Sequence, residues 1–240
     1  MTLRKGISVL AAFGLAVPAA AFGASSLLEP SACGRFEFIR CLVELDPGGE
    51  RSSVSVFPGH RLCSGESVTT MTARARARWI MPDGSSLELL PESSARLESF
   101  DYDPATKSTR ARFRLLRGGL LLERPQAQLT EPALDDSYSV DLGALNVVLK
   151  GQKTFLERRG SAAVRIVAFK GTARLELPDG GRATVAENEE LNLPIVAKRA
   201  GKAKATVLSK DALREADLAL HEPPGLKQPA PTYSCEPFSP

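Results

Sequence analysis

A chain of 240 residues with 43% hydrophobic content has enough material for a packed core. Aromatic residues make up only 6%, and 17 prolines with 19 glycines argue for short strands joined by turns and against a helical bundle. The formal charge of +3 falls to +1 without Arg4 and Lys5, so overall basicity gives no reason to expect a nucleic-acid partner.

Arg4 and Lys5 precede an apolar run, Ile7–Val17, which Pro18 breaks; Ala21-Phe22-Gly23 then sets small residues at the spacing a signal peptidase reads. Residues 1–23 are expected to be a signal peptide, because the run is shorter than the ~20 residues a transmembrane helix needs. No other segment is apolar enough to span a membrane, so the chain is expected to be exported, periplasmic or secreted. Residues 24–64 read as N-terminal strands and a cysteine-bearing loop. Phe36–Leu45 alternates and ends at the turn Asp46-Pro47-Gly48-Gly49. Ser53–Phe57 is a second strand, and Pro58–Glu66 a loop with His60 and Cys63.

Val68–Met81 reads as one long strand with Arg74, Arg76 and Arg78 on one face, returning through Pro82-Asp83-Gly84 to Leu87, Leu89 and Leu90. Phe100–Arg124 combines a turn-rich loop, a strand with Arg110, Arg112 and Arg114 alternating outward, a Gly118-Gly119 bend and Leu120, Leu121, Leu122. Pro125–Asp136 is an excursion loop. Tyr138–Leu149, Thr154–Leu156, Val164–Phe169, Ala173–Leu177, Arg182–Val185 and Glu190–Pro194 complete the strands. ARWIMPDG at Ala77–Gly84 returns as ARLELPDG at Ala173–Gly180, which reads as shared turn chemistry or a repeated sheet unit. Lys198–Lys204 is a connector, and Ser209 caps a helix over Lys210–His221 with apolar residues Leu213, Leu218 and Leu220. Residues 223–240 form a proline-rich, extended tail.

Four cysteines, Cys33, Cys41, Cys63 and Cys235, suggest two disulfides in an exported chain. Gly34–Arg40 reads as extended, and seven residues at ~3.3 Å each hold Cys33 and Cys41 beyond bonding reach. Of the two remaining connectivities, Cys41–Cys63 with Cys33–Cys235 is preferred; either one ties the tail to the N-terminal part. The spacing matches no compact zinc motif. Glu29 and Pro30 stand where a lipobox before Cys33 would be apolar.

From about Gly65 to Pro194 the chain resembles the FecR family of bacterial envelope domains. GESVTTMTARARARWIMPDGSSLELLPESSARL is similar to that family's opening, FDYDPATKSTRARFRLLRGGLLLER to its middle, and FKGTARLE to a later strand. Two steps depart from the family pattern. Its Gly-Thr-x-Phe step is here Gly151-Gln152-Lys153-Thr154-Phe155, and its Ala-Gly-Glu turn is Glu187-Asn188-Glu189, which Asn188 can carry in the left-handed conformation. The resemblance implies an elongated all-β module over residues 65–196, twisted solenoid-like or sandwich-like, followed by a linker and short helix at 197–222. It also implies a role in envelope binding or signalling. The best-known members are anti-sigma regulators with a cytoplasmic helical domain before a membrane span. With six residues ahead of the apolar run, this chain is expected to lack that half and to work alone.

Catalytic and metal readings are weak. No Gly-x-Ser-x-Gly elbow surrounds a serine, and neither His60 nor His221 has a metal-like partner at short spacing. Asp101 and Asp103 with Thr106 supply too few oxygens for calcium and read as an Asx-stabilised turn. Adjacent acids such as Glu189-Glu190 and Asp135-Asp136 do not make an acid/base pair. No enzyme activity, cofactor or metal is expected. If their faces coincide, Arg74, Arg76, Arg78, Arg110, Arg112 and Arg114 would form one band for carboxylates or phosphates of an envelope protein or polymer; the alternative is a solvated face offset by Glu88, Glu92 and Glu98. The expected function is non-catalytic binding in the envelope, or relay of an envelope cue to a separate membrane partner.

Overall fold

In the computed structural model the described residues are 33–125, 137–143, 145–160, 163–177, 180–194 and 205–221. The signal peptide expected at 1–23, nearly all of the expected excursion loop, the expected connector Lys198–Lys204, and residues 223–240 with Cys235 lie outside them.

The chain winds back and forth between two sheets. Strand β1 (Cys33–Arg40) lies in sheet A, β2 (Val43–Asp46) and β3 (Val54–Ser55) in sheet B, β4 (Arg61–Cys63) in A and β5 (Ser67–Thr70) in B. The hairpin of β6 (Arg76–Ile80) and β7 (Ser86–Leu89) returns to A, and β8 (Ser94–Asp103) to B. Strand β9 (Ser108–Glu123) belongs to both sheets: its first half pairs with β8 and its second with β7. Then β10 (Ser137–Asp141) and β11 (Asn146–Leu149) form a hairpin in B, and β12 (Lys153–Arg159) and β13 (Ala163–Lys170) one in A. A further B hairpin joins β14 (Ala173–Glu176) to β15 (Arg182–Val185), and β16 (Glu189–Pro194) with β17 (Thr206–Val207) closes sheet A. Helix α1 (Lys210–His221) follows.

Across sheet A the order is β4-β1-β6-β7-β9-β12-β13-β16-β17, and across sheet B β3-β2-β5-β8-β9-β10-β11-β14-β15. Neighbours are antiparallel except β9 and β10, which run parallel and therefore need the long connection between them. One core fills the space between the sheets. Trp79, Leu87, Leu120 and Ile166 enter it from A, and Val68, Phe113, Val140 and Leu175 from B. The all-β class with a short C-terminal helix is thus the observed fold, sandwich-like in section and wound like a solenoid along its length.

Three stretches that alternate like single strands are each two strands. Phe36–Leu45 breaks at Cys41, whose φ of 58° turns the chain from sheet A to sheet B. Val68–Met81 breaks at a turn through Ala73 and Arg74, closed by the Ala75 amide donating to Thr72 O at 3.0 Å. Tyr138–Leu149 is the β10–β11 hairpin. In each case the buried apolar positions change parity at the break: Phe36 gives way to Val43 and Leu45, Val68 to Ala75, Ala77 and Trp79, and Tyr138 and Val140 to Leu145 and Val147, a shift that is passed over when each run is read as one strand.

Gly118 is where β9 changes sheets. Before it the buried positions are odd-numbered, Ala111, Phe113 and Leu115; after it Leu120 and Leu122 are the core-facing pair. This one-residue phase shift requires an irregular backbone. Gly118 has a φ of 74°, and a Cβ there would lie 2.0 Å from Ser93 Oγ. The same hydroxyl accepts the Gly119 amide at 2.8 Å, which fixes the crossing.

The preferred disulfide pairing is corrected. Cys33 bonds Cys63, because β1 and β4 pair antiparallel with these two residues directly opposite one another. The strand β4 lies inside what reads from sequence as a loop, so that register is not visible there. Cys33 and Cys41 do sit at opposite ends of an extended strand, and Cys41 is also disulfide-bonded. The residues bounding the two Pro-Asp-Gly segments make the same pair of backbone bonds, once per sheet. Met81 N donates to Ser85 O and Gly84 N to Met81 O, as Leu177 N does to Gly181 O and Gly180 N to Leu177 O.

Candidate functional site

Alternation on each strand leaves one outward face per sheet, and the strand registers decide which side chains share it. On sheet A one outward row runs Arg78, Glu88, Leu121, Phe155, Val167, Glu190. Its apolar middle is covered by α1, whose Leu220 is 6% exposed and packs with Leu121, Phe155 and Val167. Ser209 caps the helix through its hydroxyl, which accepts the Ala212 amide at 3.1 Å. At the other end Arg76 Nη1 donates to the Leu220 carbonyl, one of the acceptors a helix terminus leaves open. Arg76 is 5% exposed and pairs with Glu88 at 2.9 Å. This arginine is therefore a buried anchor for the helix.

The next outward row of sheet A runs Ile80, Ser86, Glu123, Lys153, Lys170. It floors a cleft of about 740 Å³ whose far wall is α1, through Leu213, Arg214 and Asp217. Lys153 bridges floor and wall, bonding Glu123 at 3.0 Å and Asp217 at 2.6 Å. Burial alone would lower the lysine pKa, but hydrogen bonds to Asp217 and Glu123 outweigh it and raise the value.

Beneath the cleft lies a polar network inside the core. The buried Asp83 carboxylate accepts from the Ser85 amide at 3.0 Å, the Ser85 hydroxyl at 2.7 Å, the Thr109 hydroxyl at 3.0 Å and the Tyr138 phenol. Arg124 stacks on the Tyr138 ring at 4.5 Å. Burial, with the adjacent Asp83 charge, pushes the Tyr138 phenol far upward, so it acts as a fixed donor and not as a titrating group. Sequence reading takes Asp83 only as a turn residue, because its partners come from strands distant in the chain.

The outward face of sheet B carries no helix among the described residues. One row runs Arg96, Arg114, Asp141, Asn146, Glu176, Arg182, and the next Ser99, Arg112, Ser139, Val148, Arg174, Thr184. Arg110 lies beside Asp101 in a third. Arg112 and Arg114 share Glu98 at 2.8 and 2.9 Å, and Arg114 also meets Asp141 at 3.0 Å. Arg96, Arg174 and Arg182 are exposed and have no acidic partner among the described residues.

The six expected arginines therefore do not form one band. Arg110, Arg112 and Arg114 lie together on sheet B. Arg76 and Arg78 belong to the outer face of sheet A, where Arg78 meets Glu37 at 3.4 Å. Arg74 lies in the turn before β6, and that turn is what separates the two groups. Sequence reading missed Arg96, Arg174 and Arg182. The alternation in SARLES and ARLE carries their signal, but a pair of residues per strand is too short to weigh without the register.

The remaining candidates keep structural roles. His60 accepts the Phe57 amide through Nδ1 at 3.4 Å. Asp103 accepts from the Ala105 amide at 2.9 Å and the Thr106 hydroxyl at 2.8 Å, which lowers its pKa and makes the Asx turn. Glu189 accepts the Ala186 amide at 2.9 Å while Glu190 pairs with Arg165 at 2.9 Å, which lowers the Glu190 pKa. Asn188 has the expected left-handed φ, 65°. Asp135, Asp136 and Cys235 lie outside the described residues. Among the described residues no group of three or more His, Cys, Asp or Glu side chains is placed to hold a metal, and no helix is long and apolar enough to cross a membrane.

Comparison with curated proteins gives no match. Two crystal structures of a candidate anti-sigma factor from Parabacteroides distasonis ATCC 8503 are similar to this chain at 11% and 9% identity, both with a TM-score of 0.47. The aligned parts cover 63% and 64% of this chain and 63% and 65% of theirs, so the chain spans less than two thirds of those structures. The FecR family model, described as FecR protein, matches residues 67–174, from the first residue of β5 into β14. The central run of strands, residues 67–174, is a FecR-like domain.

Proposed function

We propose that the chain is an exported, non-catalytic FecR-like module that binds a protein or polymer of the bacterial cell envelope through the outer face of sheet B. The observation that carries this is the distribution of Arg96, Arg110, Arg112, Arg114, Arg174 and Arg182 on that face, which carries no helix among the described residues. They extend from β8 to β15, five strand spacings or about 24 Å. That is too wide for one small anion and suits a chain or surface bearing repeated carboxylates or phosphates. The Cys33–Cys63 bond fits an extracytoplasmic location. The FecR-like domain fits a regulatory rather than a catalytic role.

The test is capture from envelope extract by the purified protein and by a variant with Arg96, Arg112, Arg174 and Arg182 changed to serine. A partner retained by the first and lost by the second is expected. Equal capture by both would remove sheet B from the proposal, and turnover of envelope glycans or esters by the purified protein would overturn the non-catalytic reading. The FecR match itself favours a second reading, relay of an envelope cue to a membrane partner. Capture that depends on growth condition would select it.

A further inference from the structure

The cleft between α1 and sheet A is not used by the sheet B reading, and its chemistry differs. We propose that it binds a small organic anion, a carboxylate or phosphate monoester carried on an apolar body. Its volume of about 740 Å³ lies within the range of small-molecule sites. The cavity exists because the C-terminal half of α1 is seated, through Leu220 and the Arg76 bond, while its first turns overhang the row Ser86, Glu123, Lys153, Lys170.

The lining divides into two parts. Ile80, Pro125, Phe169 and Leu213 give apolar walls. Both carboxylates of the lining, Glu123 and Asp217, are held by Lys153. At the rim, Lys170 from β13 and Arg214 from α1 are exposed and have no acidic partner among the described residues. A neutral apolar ligand would leave these cations unused, and an inorganic anion would leave the walls wet. An anion with an apolar body satisfies both parts. The smaller hollow on the other side of α1 lacks this character, since its Arg159 and Arg165 are already paired with Glu157 and Glu190.

The probe is 4-phenylbutyrate, titrated calorimetrically into the purified protein, with 4-phenylbutanol as its neutral counterpart. One carboxylate per chain is expected, bound at least about tenfold tighter than the alcohol. Changing Lys170→Ser with Arg214→Ser should weaken the carboxylate about tenfold and leave the thermal midpoint unmoved, because neither side chain holds the fold. Hydrogen exchange should slow in α1 on binding. The sheet B serine variant should bind the probe normally, which separates this site from the one proposed there. No binding, equal binding of acid and alcohol, or no loss in the double variant would overturn the assignment. So would capture of an acidic peptide in the cleft without the small acid.

Discussion

The outward faces of sheets A and B are built from the same raw material, alternating strands with charged residues on the side away from the core, and they end as opposite surfaces. On sheet A the middle of the face is Leu121, Phe155 and Val167, and a helix covers it. On sheet B the corresponding positions are Arg112, Ser139 and Val148, with Arg174 next in the row, and no helix lies on them among the described residues. The consequence for arginine is direct. Arg76 on A is buried, paired and bonded to the helix end, whereas Arg112 on B is 56% exposed in its side chain and shares one acid with Arg114. A ladder of arginines therefore has no single meaning; what covers the sheet decides whether it anchors or displays.

The strongest way to break the comparison is at the strand both faces share. Gly118→Ala would force a Cβ within 2.0 Å of Ser93 Oγ at a φ of 74°. Overpacking and the left-handed backbone together predict a loss of about 4 kcal/mol. The denaturant midpoint should fall accordingly. A loss below about 1 kcal/mol would mean that β9 can cross between the sheets by another route.

Gly118 also marks the boundary of what the sequence discloses. A glycine pair between two alternating runs is legible as a bend. That the bend switches sheets depends on contact with Ser93, which no local pattern encodes. The same holds for Cys33 and Cys63, whose pairing follows from the β1–β4 register. Turns, the Ser209 cap and the extent of α1 are legible because each rests on neighbours in the chain. The arginine faces, the Asp83 network and the cleft are not, because each joins strands far apart in sequence. With Cys33–Cys63 formed, cysteine count leaves Cys41 for Cys235, and nonreducing peptide mapping is expected to recover those two peptides joined. Recovery of either as a free thiol would reject that pairing.

A sharper probe of sheet A is Arg76→Met. It leaves Glu88, 13% exposed, without its cation and the Leu220 carbonyl without its donor. A loss of about 2–3 kcal/mol is expected, below the range for breaking a fully buried pair because Glu88 keeps some contact with water. Hydrogen exchange should rise in α1 before it rises in the core strands. If α1 stays protected, the helix is held by Leu220 alone.

The Lys153 link between Glu123 and Asp217 predicts a smaller, pH-dependent effect. Its folded pKa lies above the ordinary 10.5 because hydrogen bonds to Asp217 and Glu123 outweigh burial, which acts the other way. The stabilisation is therefore complete below the ordinary value and lost as pH rises through the folded one. Glu190 behaves oppositely: Arg165 depresses its pKa, so its contribution is present above the ordinary carboxylate value and lost as pH falls through the folded one. Replacing Lys153→Met should flatten only the alkaline limb of stability against pH, by no more than about 1 kcal/mol for a partly exposed pair. An unchanged alkaline limb would show that the lysine does not fasten α1.

The smallest stability effect should come from the outward face of sheet B, and that is its diagnostic value. Arg112→Met removes a half-exposed ion pair with Glu98 at 2.8 Å, while Arg114 keeps the same acid occupied. Stability should move by less than about 0.5 kcal/mol in chemical denaturation. Capture of an envelope partner should nevertheless weaken, since Arg112 lies in the central row between Ser99 and Ser139. That combination, near-neutral for folding and costly for binding, is the inverse of what Arg76→Met predicts. If Arg112→Met instead lowers stability by 2 kcal/mol or more with capture intact, sheet B's arginines hold the fold as Arg76 does, and the distinction between the two faces fails.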